Sequence, residues 1–292
     1  MLQFIIRLAK RFAILLPGVV IVYLSVQTIF PYFDRQLPFA IALFATYVLG
    51  AYVLVPAIIR LYRIIRPPTH LPLYCVTPDG LASDPLNIGV IGNRRELITS
   101  MEKAGWHLAD PHSLRNVARL VVSAIFNLSY PNAPVSSLYL FGRRQDIAFE
   151  IPVAGSATER HHVRFWATTY DDSKKFSVKA IHWQHRKSHV FGDELLWVGA
   201  ASRDVGITFI RHNLQLSHMI DPDTNIEREL IVKQLEDAKL VKKTVSLKLV
   251  EPYKVINRVL NGSLHTDGII KIITLNYKPI KSIDRRIHNR SR

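Results

Sequence analysis

Two apolar runs, Phe12–Phe33 and Gln36–Ile59, constrain this chain more tightly than any other stretch, because neither contains a charged residue. Each is about 20 residues or longer, which as a helix is enough to cross roughly 30 Å of hydrocarbon. A bilayer leaves no water to satisfy backbone amides, so a spanning segment must be a helix or part of a closed barrel. The expectation is a two-helix transmembrane hairpin, with helices at about residues 12–33 and 37–59 inside an anchor of residues 1–66.

Charge orients the hairpin. The formal net charge is +15, and much of the excess flanks the apolar runs. Arg7, Lys10 and Arg11 precede the first run, and Arg60, Arg63 and Arg66 follow the second. The intervening turn holds only Asp34 and Arg35. Basic flanks stay on the cytoplasmic side, so the sequence predicts a multi-pass protein of the cytoplasmic membrane with both termini in the cytoplasm. Arg60, Arg63 and Arg66, three residues apart, are candidates for lipid headgroup contacts worth on the order of 1 kcal/mol each. The first run is too long for the apolar core of a signal peptide and lacks a small-x-small cleavage site, so an uncleaved anchor is expected. Cys75 is the only cysteine, which excludes an internal disulfide and reads as an inert thiol.

Pro67-Pro68 makes a stiff exit from the anchor. From His70 the composition is that of a globular domain, placed at residues 70–280 and followed by a basic tail, residues 281–292. Ile88–Gly92 reads as a buried strand, with Asn93 capping a helix Arg94–Ala104 that Gly105 closes. Gly89 and Gly92 fit neither nucleotide-binding glycine pattern and imply a tight strand-to-helix turn. His112–Leu128 reads as a second helix. Strands follow at Val135–Phe141 and Asp146–Ile151, joined by a hairpin turn over residues 142–145. Further strands are expected at Val163–Ala167, Ser177–Trp183, Leu195–Ala201 and Val205–Ile210. Ile226–Leu240 has helical apolar spacing, with Thr224 or Asn225 as cap, and Thr244–Leu249 and Ile269–Leu275 close the domain as strands. Helices and strands mix without regular βαβ alternation, so the fold class is α+β, a mixed helix and antiparallel-sheet domain.

Several ordered pieces resemble the LssY C-terminal domain family. They are Asp84-Pro85-Leu86-Asn87, Gly105-Trp106, Ala133-Pro134-Val135-Ser136, Leu138–Arg143, Gln145-Asp146 and Phe149-Glu150. They continue as Arg160-His161-His162-Val163-Arg164-Phe165-Trp166, Trp197–Asp204, His218, Ile220-Asp221-Pro222-Asp223, Glu227-Arg228 and Thr266-Asp267-Gly268. The resemblance implies a bacterial membrane protein whose family takes its name from a secretion-system component. The family often forms the tail of proteins that also carry a lipid phosphatase domain. No K-x6-R-P or P-S-G-H motif of such a phosphatase occurs in this chain. His218-Met219 stands where the family commonly has two adjacent polar side chains.

The candidates for chemistry follow from residue type and position. His161 and His162 begin a strand and so point to opposite faces, leaving at most one of them to share a pocket with Arg164 or Trp166. With His218 and Asp204 they are the candidate catalytic residues, Asp204 being read as a loop residue after an apolar strand. Asp221 and Asp223, in a turn before a helix, offer hard oxygen ligands to a divalent metal, the one candidate cofactor, or act as helix N-terminal charges. Arg143, Asp146, Arg164, Arg203, Glu227 and Arg228 form the surrounding polar cluster. His182, His185 and His189 would share a face only in a helix, and their segment reads as a strand leading into a loop. Two functions follow. One is a membrane-anchored accessory or binding module on the cytoplasmic face, serving envelope, lipid or secretion processes. Its partners would be membrane lipids and other envelope proteins; with a bilayer to absorb the basic charge, no nucleic acid is expected. The other is a hydrolase-like enzyme acting on a lipid or phosphate-containing substrate.

Overall fold

The computed structural model describes residues 19–58, 61, 72–78, 80–126, 128, 130–153, 159–168, 194–209, 216–257 and 262–276. Arg60, Arg63, Arg66, the strand expected at Ser177–Trp183, His182, His185, His189 and the tail at 281–292 lie outside the described residues.

Within the N-terminal region, helix α1 covers Val19–Asp34 and helix α2 covers Phe39–Ile58. The second is 20 residues long with mean hydropathy 2.1, long and apolar enough to cross a membrane; the described part of the first is shorter. Each contains a π-helical turn, Ser25–Ile29 in α1 and Gly50–Leu54 in α2. A Cβ placed on Gly50 would sit 3.7 Å from Ser25 Oγ, so these small residues let the two backbones come close.

The globular domain is built on an eight-stranded sheet. Its strands are β3 (Ile88–Gly92), β4 (His107–Leu108), β7 (Ile147–Pro152), β8 (Glu159–Thr168), β9 (Leu195–Phe209), β10 (Leu216–Ile220), β11 (Val241–Lys248) and β14 (Ile269–Leu275). The order is β11-β14-β3-β9-β8-β7-β4, with β10 paired to the far half of β9. The β14–β3 pair is parallel and the other pairs are antiparallel. A smaller sheet, in the order β2-β1-β5-β6, is formed by β1 (Tyr74–Val76), β2 (Ala82–Pro85), β5 (Tyr139–Leu140) and β6 (Arg143–Arg144). A hairpin of β12 (Tyr253–Asn257) and β13 (Gly262–Thr266) packs beside β2. Helices α3 (Arg94–Lys103), α4 (Leu114–Ile125) and α5 (Thr224–Asp237) complete the domain.

Strand periodicity places a different core on each face of the large sheet. One face packs Leu97, Ile98 and Met101 of α3 and Ile231, Val232 and Leu235 of α5 against Ile88, Val90, Phe165, Trp197 and Ile273. The other packs Cys75 and Leu140 of the smaller sheet, and Leu138 just before β5, against Ile91, Trp166, Leu196, Val198 and Ile272. Since β3 and the first half of β9 are covered on both sides, they read as near-continuous apolar runs. Three tryptophans are buried with their indole N–H groups satisfied: Trp106 donates to Gln234, Trp166 to the Arg143 carbonyl and Trp197 to the Gly92 carbonyl.

Local chemistry sets the helix ends. Asn93 Oδ1 accepts from the Glu96 amide at 2.9 Å, and the Glu96 carboxylate accepts from the Asn93 amide at 2.8 Å, a reciprocal capping box that starts α3. Gly105, at φ 91°, ends that helix where a side chain would be strained. Helix α5 is capped by Asp223, whose carboxylate accepts the Asn225 amide, and not by Thr224 or Asn225. The carboxylate lies one residue earlier than apolar spacing alone indicates.

The α+β class holds, while several element boundaries differ from expectation. One strand, Leu195–Phe209, replaces the two expected at Leu195–Ala201 and from Val205 on, so Asp204 lies inside β9 and not in a loop. The expected strand Val135–Phe141 shortens to Tyr139–Leu140, which turns tightly into Arg143–Arg144, while β7 joins the other sheet. The second helix runs Leu114–Ile125, inside the expected His112–Leu128.

Gly199 of β9 lies between Phe165 and Ile88 on the neighbouring strands, and an added Cβ would lie 2.6 Å from Phe165 Cε1 and 2.8 Å from Ile88 Cγ2. Gly199→Ala should therefore lower stability by about 1–3 kcal/mol through overpacking, seen as a lower urea midpoint for the detergent-solubilised chain.

Candidate functional site

On the face of the large sheet that meets the smaller sheet, β7, β8 and β9 turn polar over a few positions. Alternation along β8 sends Arg160, His162 and Arg164 to this face. The register sets Arg160 opposite Asp204 and His162 opposite Ser202 on β9, with Glu150 of β7 on the other side of His162. Asp84 enters from β2 in the covering sheet. Asp84 and Glu150 are fully buried, Ser202 is 1% exposed and His162 2%.

Asp84 is the hub. Its Oδ2 accepts from Arg164 Nη1 at 3.0 Å and from Ser202 Oγ at 2.9 Å, and lies 3.6 Å from His162 Nε2. Ser83 Oγ donates to Oδ1 at 3.2 Å, and the Cys75 thiol donates to the Asp84 carbonyl at 3.0 Å. Burial alone would push this carboxyl up. The contact with His162, the Arg164 charge and the Ser202 hydroxyl outweigh burial and hold it at about 2. Arg164 also donates to the Ser136 carbonyl at 3.1 Å and the Ser136 hydroxyl at 2.9 Å, so its guanidinium ties two segments of the covering layer to β8.

The proton inventory orders the rest. Ser202 Oγ lies 2.7 Å from His162 Nε2 as well as 2.9 Å from Asp84, and it has one proton to give. An ionised Asp84 can only accept, so Ser202 donates to Asp84 and the network assigns a proton on His162 Nε2 that is donated to Ser202. His162 Nδ1 then faces Asp204 Oδ2 at 3.5 Å, an ion-pair separation. Beyond Asp204, Arg160 Nη1 donates to Glu150 Oε2 at 2.9 Å. Burial, with the Asp204 charge adding to it, pushes Glu150 up to about 7 despite Arg160. This carboxyl titrates near neutrality.

The opposite face of β8 carries a separate pair. His161 Nδ1 meets Glu227 of α5 at 2.9 Å, so the adjacent histidines do point to opposite faces. Beside it Asn87, fully buried, donates to the carbonyls of Ala201 and Thr224 and accepts the Ala201 amide, clamping β9 to the start of α5. Arg203 reaches Glu159 at 3.5 Å.

The remaining candidates tie elements together. Arg143 pairs with Asp146, whose other oxygen accepts the Ala167 amide at 2.8 Å. Arg228 forks onto both oxygens of Asp267 at 2.9 and 2.8 Å, joining α5 to the β13–β14 turn and holding the Asp267 carboxyl down against burial. Asp221 accepts the Asp223 amide at 3.1 Å, and Asp223 is the α5 cap. His218 lies in β10, opposite Ile207. The candidates therefore divide: His162, Asp204 and Arg164 converge, His161 and Glu227 pair behind them, and the rest stand apart. Among the described residues, no group of three or more His, Cys, Asp or Glu side chains is placed to hold a metal ion.

Asp84, Ser136, Glu150, Arg160 and Ser202 were not among the sequence candidates, yet they make most of the network. One signal was available for part of it: Arg160, His162 and Arg164 recur at strand period two, which marks a polar stripe on one face of an otherwise apolar strand.

Comparison with protein families gives a match to the model described as LssY C-terminus over residues 69–270. No curated protein and no solved structure matches the chain.

Asp84→Asn should cost about 3–5 kcal/mol at neutral pH, because Arg164 would be left buried without its anion. The Asp84 carboxyl is lowered from 3.8 to about 2, so the stability it contributes is present above the higher value and lost as pH falls through the lower. Denaturant titrations of both proteins should accordingly converge across that acid window. Glu150 has the opposite sign. Raised from 4.5 to about 7, its contribution is complete below the lower value and lost as pH rises through the upper. Glu150→Gln should flatten that decline in urea midpoints measured from weakly acidic to weakly alkaline pH, whatever constant cost comes from weakening the Arg160 contact.

Proposed function

The chain belongs to the LssY C-terminus family, and on that premise we propose that it is a membrane-anchored accessory or binding module, held at the cytoplasmic face of a bacterial inner membrane by a two-helix hairpin. The processes it serves are those of the envelope, its lipids or secretion. The observation that carries the module reading is that the charged side chains at its centre are spent on one another inside a sealed layer. Asp84, His162, Arg164 and Ser202 are each less than 5% exposed, and a substrate would have to displace the covering sheet to reach them. Burying so many ionisable groups is costly unless each finds a partner, and here the partners come from four strands and the segment around Ser136. They specify how those segments meet.

Support for the anchor comes from α2. Only 6% of its most apolar window is buried within the chain, unlike a core helix of a globular protein. The basic residues on either side of the two apolar runs favour cytoplasmic termini.

A second reading, hydrolysis of a lipid or phosphate-containing substrate, is favoured by one feature. Ser202, His162 and Asp204 are strung in the order of a nucleophile, base and orienting acid, at 2.7 and 3.5 Å. Against it, Ser202 gives its proton to Asp84, so His162 is a donor to the hydroxyl and not its base.

Two measurements decide. Under the module reading the purified chain turns over neither lipid phosphates nor esters; hydrolysis lost by about a thousandfold or more in Ser202→Ala would establish the enzyme instead. The anchor reading requires that the polypeptide stay with membranes through alkaline carbonate, and that protease added on the periplasmic side leave the globular domain intact.

A further inference from the structure

Helix α4 exposes a row of apolar side chains. Among its described side chains, Asn116 and Leu120 are partly buried and Ser123 is buried; Asn116 donates to the Pro111 carbonyl at 2.9 Å and Ser123 to the Leu120 carbonyl at 2.8 Å. Apolar residues stand on the exposed side. Leu114 is 92% exposed, Val122 46% and Phe126, just past the end, 68%, with Ala118 and Leu128 also exposed. Leu114, Ala118, Val122 and Phe126 follow one another at intervals of four, so they make a single stripe. An apolar stripe of this kind left in water is the mark of an interaction surface.

Charge says what covers it. The helix contains no acidic residue, and Arg115 and Arg119 are both exposed along the stripe. The Arg119 guanidinium stacks 4.0 Å above the Tyr130 ring, which fixes that cation at the domain surface. Bulky apolar residues beside arginines, on a helix without carboxylates, match an anionic lipid interface: side chains enter the acyl boundary while guanidinium groups stay among the headgroups. The same chain carries a helix, Phe39–Ile58, long and apolar enough to enter a bilayer, so such a surface is close by on the anchored reading above, on which this inference rests.

We propose that α4, with Phe126 and Leu128, lies in the headgroup layer of an anionic bilayer and gives the domain a second point of attachment beyond its anchor. The domain is then held against the membrane by this face and does not swing freely on its tether.

The test uses the full chain in lipid nanodiscs, with an environment-sensitive fluorophore on Val122→Cys and, as a control, on Glu236→Cys, an exposed position of α5. Native Cys75 is fully buried, which directs the label to the introduced thiol. In discs rich in phosphatidylglycerol, the label at 122 should be blue-shifted and quenched severalfold more strongly by acyl-chain quenchers than the label at 236. Arg115→Glu should reduce that quenching. Equal exposure of both labels in a chain that resists carbonate would overturn the proposal while leaving the anchor standing; release by carbonate would remove the anchor itself. Equally deep quenching in pure phosphatidylcholine would overturn the assignment to an anionic surface. A blue shift that acyl-chain quenchers do not reach would overturn the lipid assignment in favour of a covering protein.

Discussion

A single fully buried carboxylate, Asp84, holds the two sheets of the domain together. Its contacts with Arg164 and Ser202 cross from β2 to β8 and β9, and Arg164 continues to Ser136 on a further segment. A carboxylate removed from water without partners would simply take up a proton. That Asp84 is instead held at about 2 means its surroundings outweigh its burial. Apolar packing between the sheets is non-directional, whereas the hydrogen bonds of Asp84 are made in one arrangement. Much of the domain's uniqueness of packing follows from it.

The cluster also explains why a polar triplet can sit inside a long strand. Ser202-Arg203-Asp204 would end most strands, but here each residue is answered across the ladder by one of Arg160-His161-His162. The alternation that sends His162 and Arg160 to one face sends His161 to the other, where Glu227 of α5 receives it. One stretch of β8 therefore ties the central sheet to both of its coverings. The family's matching pieces include this stretch and its partners, which fits a signature that encodes how layers join.

On the outer surface the logic reverses. The interior gathers charges and pairs them, while α4 presents Leu114, Ala118 and Val122 on its exposed side. In a freely diffusing protein that pattern would be a liability; beside a bilayer it has a use. The excess of basic residues, +15 over the whole chain, works in the same direction. On the proposed tether, an acidic domain would be repelled by an anionic leaflet.

Legibility followed the range of the interactions. The strand at Ile88–Gly92, the Asn93 cap, the Gly105 stop, the α5 helix and the opposed faces of His161 and His162 all come from spacing and residue type within a few positions, and these were readable directly. Asp84, Glu150 and Ser202 drew no attention as site residues, since each is an ordinary polar residue beside a turn or strand until a partner far along the chain is brought to it. Asp204 was misplaced in a loop for the same reason: its place in a strand depends on Arg160, 44 positions earlier in the chain. By itself the amino-acid order determined where apolar runs, caps and turns fall, because those depend on local sterics, backbone hydrogen bonding and hydrophobic period. Only the tertiary structure decided which charges are buried together and which helix face is left uncovered, because desolvation and pairing energies exist only once distant segments share a surface.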